Sequence, residues 1–234
     1  MKVLLTGANG FIGRNFFKQY VGKYEFLCLD IADDIRKHEY DPSIDAVVHL
    51  GAYAGVRRSH EIPEQFWEMN VVGSERIFDE YGGIPIVYAS SSSIYEWWLS
   101  PYATTKKVVE TIAHGYTLGL RFHTVYGEDS RPDMIYDRLL RRDVEYITNH
   151  TRDWTHVYDV CSAIDICIEN FDKMHKYRAI DVGYGQPRTV KSMADELWPD
   201  NNLPVREVTG EREHTCADPS ILLQYGWKPE YGAK

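Results

Sequence analysis

The first thirty residues restrict the fold of this chain more than any other segment. Lys2-Val3-Leu4-Leu5-Thr6 is a short apolar run, and Gly7-Ala8-Asn9-Gly10-Phe11-Ile12-Gly13 follows it directly. A helical stretch from Arg14 to Tyr20 comes next, and then a second apolar run, Glu25-Phe26-Leu27-Cys28-Leu29, ending at Asp30. This order of strand, glycine turn, helix and strand suits a backbone that must turn tightly and approach a pyrophosphate, with the helix N-terminus supplying amide donors. Three glycines alone occur in many loops, so the context carries the reading. An acid at the tip of the second strand suits a ribose diol and repels a 2′-phosphate, which favours NAD over NADP.

The alternation continues down the chain. Strand patterns are expected at Ile44–Leu50, Ile84–Ala89, Gly119–Phe122 and Tyr177–Val182, and helices at Phe66–Tyr81 and Ser100–Tyr116. Repeated βα units predict a parallel sheet with helices on both faces and ligands at the strand C-termini. A net charge of −9 argues against a nucleic-acid partner, which needs clustered Lys and Arg. No apolar run reaches membrane-span length, and the N-terminus opens into a strand rather than a signal peptide. Cys28, Cys161, Cys167 and Cys216 form neither a CxxC pair nor a disulfide scaffold, so no metal is expected and a reducing cytoplasm is the expected compartment.

Ser91, Tyr102 and Lys106 are the catalytic candidates. Tyr102 and Lys106 stand one helical turn apart, on one face. A free phenol has a pKa near 10 and is a poor base, but an adjacent ammonium and an oxidised nicotinamide ring favour the phenolate. That phenolate can take a proton from a sugar hydroxyl, which a serine on the preceding strand would hold in place. With 17 tyrosines in the chain the Tyr-xxx-Lys spacing alone is uninformative; its place after a glycine unit and a serine-tipped strand gives it weight.

On these residues the chain resembles the extended short-chain dehydrogenase/reductases, the NAD-dependent epimerase/dehydratase family. Gly7–Gly13, Asp30, His49-Leu50-Gly51-Ala52, Asn70, the serine run and Tyr102/Lys106 stand in family order. Ala54–Ser59, Val87–Tyr95, Leu120–Gly127 with Arg131–Met134, Arg152–Val160 and Ala217–Ser220 are similar to UDP-glucuronate 4-epimerases in particular.

The resemblance implies a Rossmann-type doubly wound α/β sheet with a small C-terminal substrate-binding cap. Residues 1–125, rejoined by 150–183, would form the NAD-binding domain, and 126–149 with 184–234 the cap. Gly7, Asn9, Gly10, Phe11, Ile12, Gly13, Asp30, Leu50, Gly51, Ala52, Tyr102 and Lys106 would hold NAD. Arg57, Ser92, Ser93, Thr124, Arg131 and Arg152 would hold a nucleotide sugar, with Arg131 on a sugar carboxylate and Arg152 on the diphosphate. Arg131 as an exposed loop residue, and Arg152 paired with Asp153 or Glu145, are the plainer readings. A homodimer is expected through Phe66–Tyr81 and the Tyr102 helix, with Val109, Ile112 and Ala113 facing outward; the alternative packs them on the chain's own sheet.

Epimerisation at carbon 4 of UDP-glucuronate is the implied activity. Dehydratase and decarboxylase relatives place acids after the catalytic serine, where this chain offers the neutral Ser92 and Ser93. Decarboxylation, dehydration, net reduction and a non-catalytic NAD-binding role stay open. The chain departs from the family in the six-residue link Glu96–Pro101, where Trp97 and Trp98 either stack on substrate or cover the core. It departs again near Val208, where a second diphosphate arginine is usual and only Arg206 and Arg212 lie close by.

Overall fold

The computed structural model describes residues 1–232; Ala233 and Lys234, the last two of the expected cap, lie outside the described residues. The expected strands form: the first two as expected, the third and last trimmed, the fourth shifted two residues toward Ser91, and the fifth extended back to Thr117. They are β1 (Lys2–Thr6), β2 (Glu25–Leu29), β3 (Ala46–His49), β4 (Ile86–Ser91), β5 (Thr117–Phe122) and a sixth at Ala179–Val182. All pair in parallel, in the order Ala179–Val182, β5, β4, β3, β1, β2. The chain therefore reverses direction between β1 and β3, the switch point at which an open parallel sheet offers its binding crevice.

Near-continuous apolar strands follow from burial on both faces. Val3, Leu5, Val48, Val87, Leu118 and Leu120 pack beneath α1 (Phe11–Tyr20) and the helix Val157–Glu169. Leu4, Val47, Ile86 and Tyr88 face the other way, onto α4 (Gly73–Tyr81) and α5 (Pro101–Ile112). A separate cluster of Tyr126, Leu139, Val144, Ile147, Trp154, Val190, Met193 and Ala194 gathers the short elements beyond β5. Among the described residues no helix is long and apolar enough to cross a membrane, and the four cysteines are free thiols.

Three expectations are corrected. The helix expected over Phe66–Tyr81 is interrupted: after α2 (Val56–Glu61) and α3 (Pro63–Trp67), residues Glu68–Val72 form a π-helical turn before α4 begins. The turn aims Asn70 inward, where its amide closes on both the N–H and C=O of Tyr53 and donates to the Thr105 hydroxyl. Val109 and Ala113 do not face outward; they are buried on the sheet, because α5 is covered by its own chain on that side. Trp97 and Trp98 do not cover the core: they are 43% and 63% exposed and meet edge to face.

Candidate active site

The glycine turn after β1 is shaped by close backbone approaches. Gly7 takes φ +70°, and a Cβ there would lie 2.8 Å from the Gly51 nitrogen and the Leu50 carbonyl group. A Cβ at Gly13 would run into the carbonyl oxygen of Gly7. The turns after β1 and β3 thus interlock at the switch point, and Gly51 N donates to Thr6 Oγ1 at 3.0 Å. Ala52 N folds back on the Leu50 carbonyl, so the β3 turn stays tight. The helix starts at Phe11, earlier than expected, with Gly10 as N-cap and no side chain over it; this leaves a bare cradle that fits a pyrophosphate. Phe11 is buried and Ile12 packs on the same core, which anchors the cradle. Asp30 stands at the rim, its Oδ2 accepting from the Asn9 amide at 2.6 Å.

The catalytic candidates converge at the end of β4. Ser100 caps α5 by accepting from Ala103 N at 3.1 Å, and Pro101 follows at the first helical position, which fixes where Tyr102 emerges. Tyr102 is half-buried, with the Phe66 ring edge-on to it. Burial raises its pKa, and the opposing influences are a hydrogen bond with Ser91 and the charge of Arg131. Lys106 is buried, and desolvation lowers its pKa to about 8 while the charge of Glu110 opposes that shift. Its Nζ donates to the Ala89 carbonyl oxygen at 2.7 Å. Beneath it, His49 bridges the Thr6 and Ser74 hydroxyls at 2.7 and 2.9 Å. Burial and the Lys106 charge hold that imidazole neutral, with a pKa of about 3.

A pocket opens over Ser91, Ser92 and Ser93 and is walled by Thr124, Arg152, Glu96 and Arg212. The Ser91 hydroxyl also accepts from Ser93 N at 3.1 Å, which starts the 3-10 run Ser92–Leu99; Glu96 breaks that run at φ −130°, ψ 54°. Arg152 pairs with neither Asp153 nor Glu145. Asp153 is consumed by the amides of Tyr184, Gly185 and Ala217, and the Arg152 guanidinium lies 3.6 Å from Glu211 instead. Arg57 reaches the same Glu211 carboxylate at 3.5 Å from a mostly exposed position. Arg131 stands apart from this wall, half-exposed, with its Nε on Asp133 at 3.0 Å. A wider groove lined by His60, Pro63, Trp67 and Trp98 shares only Leu99 and Ser100 with the pocket and holds none of the catalytic candidates.

Sequence reasoning missed Glu96, Glu211 and the placing of Arg212. Of the two arginines near Val208, Arg206 stacks over the Tyr146 ring at 4.4 Å, and Arg212 enters the pocket. The one available signal was the charged run Glu211-Arg212-Glu213 after a glycine.

A family model described as the NAD dependent epimerase/dehydratase family matches residues 3–183. The chain belongs to this family. An uncharacterised protein of Methanocaldococcus jannaschii is 34% identical over 207 residues, covering 74% of this chain and 63% of its own length. The chain thus spans less than two thirds of that relative. A probable UDP-glucuronate 4-epimerase of Rhizobium meliloti is 25% identical, with 98% of this chain and 92% of the relative covered. Among solved structures, MoeE5 in complex with UDP-glucose and NAD superposes with a TM-score of 0.86 at 26% identity, over 99% of this chain and 94% of that one. The same protein has been solved with UDP-glucuronic acid and NAD. NAD is the cofactor this family implies, and the glycine cradle with Asp30 at its rim fits it.

Proposed function

We propose that this chain is an NAD-dependent nucleotide-sugar 4-epimerase acting on UDP-glucuronate. The observation that carries the reading is the pocket lined by Ser91, Ser92, Ser93, Thr124 and Arg152 at the end of β4, beside the helix α5 that carries Tyr102 and Lys106. Such a lining supports the reading because it offers hydroxyls and cationic donors suited to an acidic sugar and a diphosphate, next to a candidate base.

When bound, NAD supplies the hydride acceptor and returns the hydride; the protein supplies position and electrostatics. Gly7, Asn9, Gly10, Phe11, Ile12 and Gly13 would cradle its pyrophosphate, Asp30 its ribose diol, and Leu50, Gly51 and Ala52 the far wall. Tyr102 takes the proton of the sugar 4-hydroxyl and gives it back after the ring has turned over. Ser91 holds that hydroxyl within reach of the phenol. The buried ammonium of Lys106, tied to β4, keeps the base and the serine in one frame. Ser92, Ser93 and Thr124 offer neutral hydroxyls to the uronate carboxylate, and Arg131 a charged donor. Arg152 and Arg57 take the diphosphate, which would displace Glu211 from both.

Glu96 in the pocket wall favours a second reading. A titratable acid near the ring is what a decarboxylase or dehydratase of the family requires. Incubation with UDP-glucuronate and NAD, followed by product mass and sugar NMR, separates the two. An isomer of unchanged mass is expected; loss of carbon dioxide or water as the main product overturns the epimerase assignment.

A further inference from the structure

Arg212 reaches the serine end of the pocket from a remote part of the chain. Its backbone is anchored close by, since Thr151 N donates to the carbonyl of Glu213 at 2.8 Å and Arg152 Nη1 donates to the same oxygen at 3.1 Å. Arg212 Nη1 donates to the Ser92 carbonyl oxygen at 2.9 Å, and its Nε donates to Glu96 Oε1 at 3.1 Å. The guanidinium carbon lies 5.2 Å from the centre of the Tyr95 ring, and the side chain is only 19% exposed. The head group is therefore held from three sides beside Ser91–Ser93.

A guanidinium has five N–H donors. Two are used in these contacts; the rest, including both on Nη2, have no protein acceptor among the described residues. The Glu96 contact runs through one nitrogen and one oxygen, and Glu96 is 38% exposed. A single-point pair of that exposure is weak, whereas a carboxylate meeting the Nη1/Nη2 edge can form a two-bond fork.

Resting on the nucleotide-sugar reading above, we propose that Arg212 is a specificity-determining cation for an acidic sugar, in addition to Arg131. Its head group is held toward the serine run by Ser92 and Tyr95. Glu96 is its counter-charge and competes with the incoming carboxylate. Arg131 is the other charged donor offered to that carboxylate, and its charge also acts on Tyr102. The role of Arg212 differs from a diphosphate contact, which would serve every UDP ligand alike.

The test is calorimetric titration of the NAD-loaded full chain with UDP-glucuronate, UDP-glucose and UDP. Arg212→Gln should weaken UDP-glucuronate about 10-fold or more, the scale of one charge-assisted bond, and leave UDP-glucose and UDP within about 2-fold. Glu96→Gln should tighten UDP-glucuronate several-fold and leave UDP-glucose unchanged. The second variant has the opposite sign, which damage to the fold cannot imitate. An Arg212→Gln protein that loses all three ligands equally, or none, overturns the inference, as does a Glu96→Gln protein that binds the uronate more weakly. Wild-type protein that binds UDP but neither sugar overturns the nucleotide-sugar reading itself, and this inference with it.

Discussion

The Lys106 ammonium donates to the Ala89 carbonyl oxygen across 2.7 Å and so ties the helix that carries Tyr102 to the strand that ends in Ser91. The bond is partly buried, and its buried donor is held at a depressed pKa of about 8. Between that value and the ordinary lysine value near 10.5 the unfolded chain binds a proton that the folded chain has released. Stability of the cofactor-free protein should therefore rise with pH across this window, by on the order of 3 kcal/mol when complete. Thermal or urea unfolding at pH 7.5 and pH 10, compared with Lys106→Met, checks this; an identical pH slope in the variant would refute it.

Tyr102→Phe should leave the fold and NAD binding intact and lower turnover by roughly 10²-fold or more, the usual scale for a general acid–base group. Arg131 supplies the positive charge that favours the phenolate, so Arg131→Ala should raise the Tyr102 pKa. The acidic limb of kcat/KM should then move to higher pH. A pH–rate profile of each variant reads both effects, and an unmoved limb in Arg131→Ala would show that its charge does not reach the base.

Arg131→Ala should also reduce the preference for UDP-glucuronate over UDP-glucose, hurting the acidic sugar and sparing the neutral one. A charge-assisted bond of about 1.5–3 kcal/mol sets the loss at roughly 10- to 100-fold. Steady-state kinetics with both sugars decides it, since a structural role depresses both alike.

Asp30, fixed at the rim by the Asn9 amide, should select NAD over NADP by tenfold or more, about 1.4 kcal/mol. Direct titration with both cofactors tests the selection, and equal affinities would remove Asp30 from that role.

Gly13→Ala should be far more damaging than a surface Gly→Ala change. The added methyl meets backbone, the Gly7 carbonyl, which cannot swing aside as a side chain can. Overpacking of this kind costs roughly 1–3 kcal/mol, and the displaced turn should lose NAD as well. Melting temperature with and without NAD measures both.

The parts of this molecule legible in the sequence are those fixed by local pattern. The turn Gly7–Gly13 announces itself because a tight backbone approach admits one residue type. β3 and β4 announce themselves because a strand buried on both faces is a near-continuous apolar run, Ala46–Val48 and Ile86–Ala89 here. Tyr102 and Ser91 could be paired because β4 and α5 are consecutive. Arg212 could not be placed, since it lies 120 positions from the Ser92 carbonyl that holds it and no periodicity spans such a gap. The acidic partner of Arg152 was sought in nearby residues and found in Glu211, for the same reason. Val109 and Ala113 were misread because an apolar helix face looks the same whether its own sheet or a second copy covers it.

The π-helical turn at Glu68–Val72 makes one residue of this helical run surplus to its architecture. A π turn is the form an α-helix takes when it absorbs a single extra position, and the flanking segments keep their angular phase. A chain shortened by one residue there could run as plain α-helix into α4 and still present Ile77, Phe78 and Tyr81 to the same core. From the widened turn the Asn70 amide meets Tyr53 and Thr105, and Thr105 lies one residue from Lys106. The spare residue thus acts as a spacer between the Asn70 contacts on α5 and the packing of the layer behind them.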